Sequence, residues 1–343
     1  MIIPSNTMAL QALLLRAASD GREEHLFGDS FARAREILPD FLPEGAFPEI
    51  YLEFPLLGKP FLDATILYHQ TEIRHLSVSS PTVEGTMEML NWFAGLNAPY
   101  KDVCCGYELN FKKAELSAAG VHLQPRTHLE LVEPFCKSLG ETRCAPLYLE
   151  MAKRMQDTWP LSFLGLFRGR PDSPLRVCGY LLREELDTCK KDAGRIMNIF
   201  KTAGFSAVDE TMIRQICDLF AATPGVADFQ FDIEPDGSCG DMFAIDVMFE
   251  SLPSGDMITS FDRGKNHRLM ELLESWKITD ARWKNGVELS FTKSFPVTLE
   301  DSSTVCYALS LLPQWIKIRW IDGRLQPSKL YLHAKAGIIL RDY

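Results

Sequence analysis

The chain has 343 residues, 46% of them hydrophobic and 24% charged, which is enough apolar material for a large core. Its formal net charge is -10. That is the wrong sign for a general nucleic-acid or anionic-membrane binder, so any anion site must be a local cluster of Lys and Arg. The nine cysteines form no CxxC pair, which points to free thiols in a reducing, cytoplasmic compartment and to neither a zinc site nor a disulfide framework.

The N-terminal segment carries an apolar run, Leu10 to Leu15, without a basic leading region and followed by Asp20, Glu23 and Glu24. It reads as an amphipathic helix over 8–18, not a signal peptide. A second helix is expected over 30–38. No apolar run approaches the roughly 18–20 residues of a membrane span.

From there a two-strand unit recurs. The first spans 48–69 and turns at Gly58-Lys59; the second spans 105–126. The third, 161–183, turns at Pro171-Asp172-Ser173, and the fourth, 227–250, at Asp236-Gly237. The last, 315–340, turns near Asp322-Gly323. Each has period-two stretches around a Gly, Pro or Asp turn, the hairpin signal. Helical spacing fills the gaps, over 86–96, 129–155 (two helices), 186–203, 210–222 and 266–276. Asp209 and Ser302 are expected N-caps. The stretch 281–293 fits the repeat least and reads as an extra strand or hairpin.

Hairpins alternating with helices do not build a parallel doubly wound sheet. They build an α+β fold, an antiparallel sheet of about ten strands with helices on one face, and a sheet that wide tends to curl or close. The expectation is one domain over 1–343, a closed ten-stranded barrel surrounded by helices. Two open sheets remain the alternative.

In a barrel, one strand face packs on helices and the other faces the lumen. Glu49, Tyr51 and Glu53 share a face opposite Ile50, Leu52 and Phe54. His122 lies on a polar face with Gln124 and Arg126, and Arg176, Cys178 and Tyr180 share another. Gln230, Asp232 and Glu234 alternate with Phe229, Phe231 and Ile233. In the last hairpin, Lys317 and Arg319 share a face, as do Lys329, Tyr331, His333 and Lys335 on the partner strand. Like charges on adjacent strands repel unless an anion offsets them, and a diphosphate would do so. A solvated basic edge gives the same pattern.

This repeat resembles the ABBA prenyltransferases, whose α-β-β-α units close a ten-stranded barrel and whose members include indole enzymes and the peptide prenyltransferases of cyanobactin-type pathways. The first strand, PEIYLEF, offers Glu49 and Glu53 where the family bears an acceptor-deprotonating Glu, with Glu53 preferred. Arg176-Val-Cys178-Gly-Tyr180 matches an Arg-x-Lys-x-Tyr strand, with Cys178 in place of Lys. Lys329-Leu-Tyr331 matches a late Lys-x-Tyr pair. The resemblance implies that an allylic diphosphate ionises and an aromatic or peptide acceptor captures the cation. Arg176, Tyr180, Lys317, Arg319, Lys329 and Tyr331 would hold the diphosphate, and Tyr51, Tyr107, His122 and His333 would line the pocket, with Trp320 either a further wall residue or turned to the helices. The chain has no DDxxD or NDxxD cluster. No cofactor is expected, and magnesium is admissible but not required. A noncatalytic barrel holding a peptide or small apolar ligand is the alternative function.

Overall fold

The structure is a computed structural model and describes residues 4–18, 21–42, 47–73, 83–97, 100–112, 116, 119–168, 174–205, 208–254, 257–299 and 303–339. The expected turn at 171–173 and the expected cap Ser302 lie outside the described residues. Four hairpins come first: β1 (Glu49–Pro55) with β2 (Asp63–His69), β3 (Cys104–Asn110) with β4 (Gly120–Gln124), β5 (Phe163–Phe167) with β6 (Leu175–Leu181), and β7 (Ala227–Ile233) with β8 (Cys239–Met248). A short ribbon, β9 (Ser251–Ser254) with β10 (Met257–Phe261), stands apart from them. The chain then adds β11 (Phe291–Thr298), β12 (Thr304–Ile321), the two-residue β13 (Arg324–Leu325) and β14 (Lys329–Ile339).

Each strand pairs antiparallel with the next around the ring, and β12 joins β14 on one side to β8 on the other. The result is a closed ten-stranded antiparallel barrel of β1 to β8, β12 and β14. One strand performs the closure. The first part of β12 pairs β11 up to Leu311, and the last part pairs β8 from Trp315. The change of partner falls at Pro313, where the ladder with β14 shifts register. Proline cannot donate to a ladder, and a bulge bends the strand and raises its twist. The last hairpin turns at Asp322 and Gly323, with φ of 49° and 69°. That is the left-handed pair that favours Asp-Gly.

Helices surround the barrel: α1 (Asn6–Ala17), α2 (Glu23–Phe27), α3 (Ser30–Ile37), α4 (Gln70–Ile73), α5 (Thr86–Ala94), α6 (Val132–Ser138), α7 (Cys144–Met155), α8 (Arg183–Cys189), α9 (Ala193–Ala203), α10 (Glu210–Ala222), α11 (Arg263–Ser275) and α12 (Arg282–Glu288). Asp209 caps α10 as its position predicts, accepting from the Met212 amide at 2.7 Å. The core fills the layer between helices and barrel, where Phe41, Phe93, Trp159, Phe200, Phe220 and Trp320 are fully buried.

Two expectations need correction. The stretch 281–293 is not a hairpin: it forms α12 and then enters β11. Trp320 is no wall of the lumen. It faces the helices, and its indole N–H donates to Gln215 of α10 at 2.9 Å.

Candidate active site

Period-two alternation carries the polar faces inward. On β1, Ile50, Leu52 and Phe54 are fully buried against helices, which leaves Glu49, Tyr51 and Glu53 to the lumen. The lumen holds a cavity of about 330 Å³ whose lining includes Glu49, Tyr51, His122, Arg176, Tyr180, Lys317 and Tyr331. That volume is at the lower end of the range for small-molecule sites.

Two of the diphosphate candidates are placed elsewhere. Arg319 and Lys329 line a second, larger cavity of about 750 Å³ at the hairpin-turn end of the barrel. The six cationic and phenolic groups expected around one diphosphate are therefore divided four and two between two cavities. Tyr107 is a correction. Its ring is fully buried on the outer face of β3, and its hydroxyl shares hydrogen bonds with Tyr68 and the Phe41 carbonyl. It lines no part of the lumen.

An aromatic cluster forms one wall. Tyr51 lies 4.4 Å from Trp315 and 4.7 Å from His333, ring centre to ring centre, and Trp315 stacks on Tyr331 at 5.0 Å. Trp315 was not among the sequence candidates, although it shares its strand face with Lys317. Burial pulls His333 down to about 4, so its imidazole is neutral at neutral pH. His122 stacks on Phe163 at 5.2 Å.

Three cations beside this wall meet carboxylates, while Arg126, which also lines the cavity, lies 4.6 Å from the Tyr180 ring centre and keeps a buried Nε without a hydrogen bond. Arg176 forms a two-pronged pair with Asp232, at 2.8 and 3.0 Å, and lies 4.6 Å from the Phe167 ring centre. Lys317 sits 3.8 Å from Asp246 and 5.0 Å from the Tyr331 ring centre. Lys329 is ion-paired with Glu53. Lys317 and Lys329 are direct cross-strand partners, as the sequence argument required. The protein itself supplies the anions that hold them together.

These contacts set the protonation states. Burial alone would raise Glu53, but Lys329 and Lys317 hold it well below the ordinary carboxylate range. Burial likewise opposes ionisation of Glu49, yet His69 and Tyr51 bring it to about 2; the Tyr51 hydroxyl donates to it at 2.7 Å. Of the two candidate bases, Glu49 lines the cavity, while Glu53, the one preferred from sequence, is 3% exposed and bound to Lys329.

Opposite them, Asp228 and Asp246 are cross-strand partners on β7 and β8. Each keeps one buried carboxylate oxygen without a hydrogen bond. Asp246 accepts from Gln230 at 2.6 Å and faces Lys317, Glu53, Arg176 and Lys329; burial outweighs its cationic neighbours and lifts it to about 6. Burial and Asp246 push Asp228 well up. Between the unfolded value of 3.8 and about 6, the folded chain keeps a proton on Asp246 that the unfolded chain has lost. Stability from this group therefore falls as pH rises through that window. Asp246→Asn should gain stability relative to the native chain by about 3 kcal/mol between pH 4 and pH 8. Urea unfolding at both pH values checks this, and a pH-independent difference would contradict it.

The closed ten-stranded antiparallel barrel ringed by helices is a fold that a solved prenyltransferase also has. No family model matches the chain, and no curated protein sequence matches it. Among solved structures the chain is similar to the apo form of the prenyltransferase PriB. The alignment covers 98% of this chain and 96% of that one, with a TM-score of 0.53 and 13% sequence identity. What the two share at that identity is the fold. Among the described residues, no helix is long and apolar enough to cross a membrane.

Proposed function

We propose that the barrel transfers a dimethylallyl or longer prenyl group from an allylic diphosphate to an aromatic or peptide side-chain acceptor, without requiring a metal. The carrying observation is the lumen wall of Tyr51, Trp315, Tyr331 and His333 beside Lys317 and Arg176, inside a closed barrel. In this reading the carbon–oxygen bond of the donor breaks and its electron pair leaves with the diphosphate. Arg176, Lys317 and the hydroxyls of Tyr180 and Tyr331 stabilise that charge. The ring faces of Tyr51, Trp315 and Tyr331 stabilise the allylic cation and exclude water. The acceptor's nucleophilic atom forms the new bond, and Glu49 takes the proton the acceptor loses. A carboxylate near 2 is a weak base, but an acceptor that has just been alkylated is a strong acid and needs no stronger one.

The lumen carboxylates must yield to an incoming diphosphate. Asp246, lifted to about 6, takes up a proton with little cost and releases Lys317. The free thiols of all nine cysteines support a cytoplasmic setting. One observation favours a second reading, a noncatalytic barrel for a peptide or small apolar ligand: Arg176, Lys317 and Lys329 each already have a carboxylate partner.

Titration with a thiolo analogue of dimethylallyl diphosphate, in chelator, separates the two. Binding should weaken about tenfold or more in Lys317→Gln, which removes a charge-assisted bond. A folded protein that binds no analogue at millimolar concentration, the geranyl analogue included, would support the noncatalytic reading.

A further inference from the structure

The larger cavity lies at one end of the barrel, where the β1–β2 and β12–β14 connections meet α3 and the end of β3. Its described lining carries Arg33, Lys59, Lys112, Arg319 and Lys329 with one carboxylate, Asp29, while Lys112 and Lys329 also pair with Asp63 and Glu53. In a chain of net charge -10, five cations around one cavity of about 750 Å³ is a steep local reversal. The lumen cavity shows no such excess: Arg126, Arg176 and Lys317 line it together with Glu49, Glu108, Asp228 and Asp246.

The cluster is held in place. Arg282, 5% exposed, donates to the carbonyls of Pro55 and Gly58 at 3.1 and 2.9 Å, fixing the turn that carries Lys59. The buried Ser30 hydroxyl accepts from the Leu62 amide at 2.7 Å and so ties α3, which carries Arg33, to the start of β2. Two ammonium groups share one ring: Lys112 lies 3.4 Å and Lys329 5.3 Å from the centre of Phe61. The negative ring face offsets part of their repulsion. Burial and the Lys329 charge both pull the Lys112 ammonium down, although Asp63 lies 3.9 Å away. One terminal nitrogen of Arg33 is buried without a hydrogen-bond partner. Like charges crowded against a ring, with an unspent guanidinium donor beside them, are arranged for a multivalent anion.

We propose that this cavity is a second anion site, distinct from the lumen cavity, and that it binds a diphosphate group through Arg33, Lys59, Lys112 and Arg319. A diphosphate carries enough charge and enough acceptor oxygens to engage several of these groups at once, which a monophosphate does less well. Lys329 belongs to this cavity and to the lumen pair with Glu53, so it sits at the boundary between the two. The diphosphate is either the free inorganic ion or the end of a donor. Only the link to a donor rests on the proposed prenyl transfer; the anion site does not.

Calorimetric titration with inorganic diphosphate tests the site. The native chain should take up two equivalents. Arg33→Gln and Lys59→Gln should each weaken one of them about tenfold or more, and Lys317→Gln the other. Lys59 is exposed in a turn, so its replacement leaves the fold intact. Arg33→Lys should recover part of the loss. The weakened equivalent should also be the more salt-sensitive one, because the cavity is open to solvent. A single equivalent abolished only by Lys317→Gln would overturn this site and leave the lumen reading standing. A single equivalent lost in Arg33→Gln and Lys59→Gln would uphold this site and remove the lumen diphosphate. No uptake at millimolar concentration by the folded chain would overturn both. Titrating the thiolo donor analogue alongside separates the sources: a donor bound here should be weakened by Arg33→Gln, and one bound only in the lumen should not.

Discussion

Lys329→Met should destabilise the fold by about 3–5 kcal/mol, because it leaves Glu53 charged, buried and without its partner. The Glu53 side chain is 4% exposed and that of Lys329 is 19% exposed, so water can replace little of the lost interaction. Lys317 also faces Glu53 but is engaged with Asp246. The loss should shrink as pH falls. An unpaired buried carboxylate has its proton affinity raised, and Glu53 then escapes the penalty by protonating. The double variant Glu53→Gln, Lys329→Met should regain more than half of the lost stability, since neither charge remains to be buried. Urea unfolding of both variants at two pH values measures this. A double variant as unstable as the single one would show that packing, not the ion pair, makes this end of the barrel stable.

Glu49→Gln should lower the rate of prenyl transfer by about 10²–10⁴, the range for loss of a positioned acid–base group. Donor-analogue binding should hardly change, because Glu49 is not among the groups that meet the diphosphate. Tyr51→Phe should cost less. It removes the hydroxyl that donates to Glu49 at 2.7 Å but leaves both the carboxylate and His69 in place. Single-turnover kinetics with a productive acceptor separates the chemical step from binding. If Glu49→Gln turned over at the native rate, Glu49 would not be the base, and Glu53, still held by Lys329, would be the next candidate to test.

Much of the fold is legible in the sequence because hairpins are local. Period-two stretches around Gly58, Asp236-Gly237 and Asp322-Gly323 mark strands and turns together, and a count of five hairpins already implies a sheet wide enough to close. The closure itself is less visible. The last hairpin looks as if it begins near Trp315, whereas β12 begins at Thr304 and exchanges β11 for β8 at Pro313. A proline inside an otherwise strand-like run argues against a strand until the bulge is seen. The misread stretch 281–293 has a similar cause. Gly286 weakens any helical reading there, yet an added methyl at that position would meet Leu330 at 2.5 Å and Phe54 at 3.0 Å. Close packing of α12 on the barrel requires the glycine that local propensity counts against.

For the site, face parity gathered Tyr51, Arg176, Tyr180, Lys317 and Tyr331 at one lumen. Parity would also have excluded Tyr107, which shares its strand face with Leu109 and Phe111, and admitted Trp315, which shares one with Lys317. What no local pattern reveals is the partner of each charge. Arg176 meets Asp232 across a strand pair, and Glu53 meets Lys329 from near the far end of the chain. The clustering of Lys317 with Lys329 argued from sequence for a bound anion. In the fold, carboxylates from β1 and β8 already fill that role, and the larger gathering of cations lies instead at the hairpin-turn cavity.

The most direct measurement of the central claim is mass spectrometry of the full chain incubated with dimethylallyl and geranyl diphosphate, in chelator, with indole, phenol and peptide acceptors. The expected result is a prenylated acceptor together with release of inorganic diphosphate, and loss of both in Arg176→Lys. A folded chain that binds the donor analogue yet releases no diphosphate and alkylates none of these acceptors would contradict it.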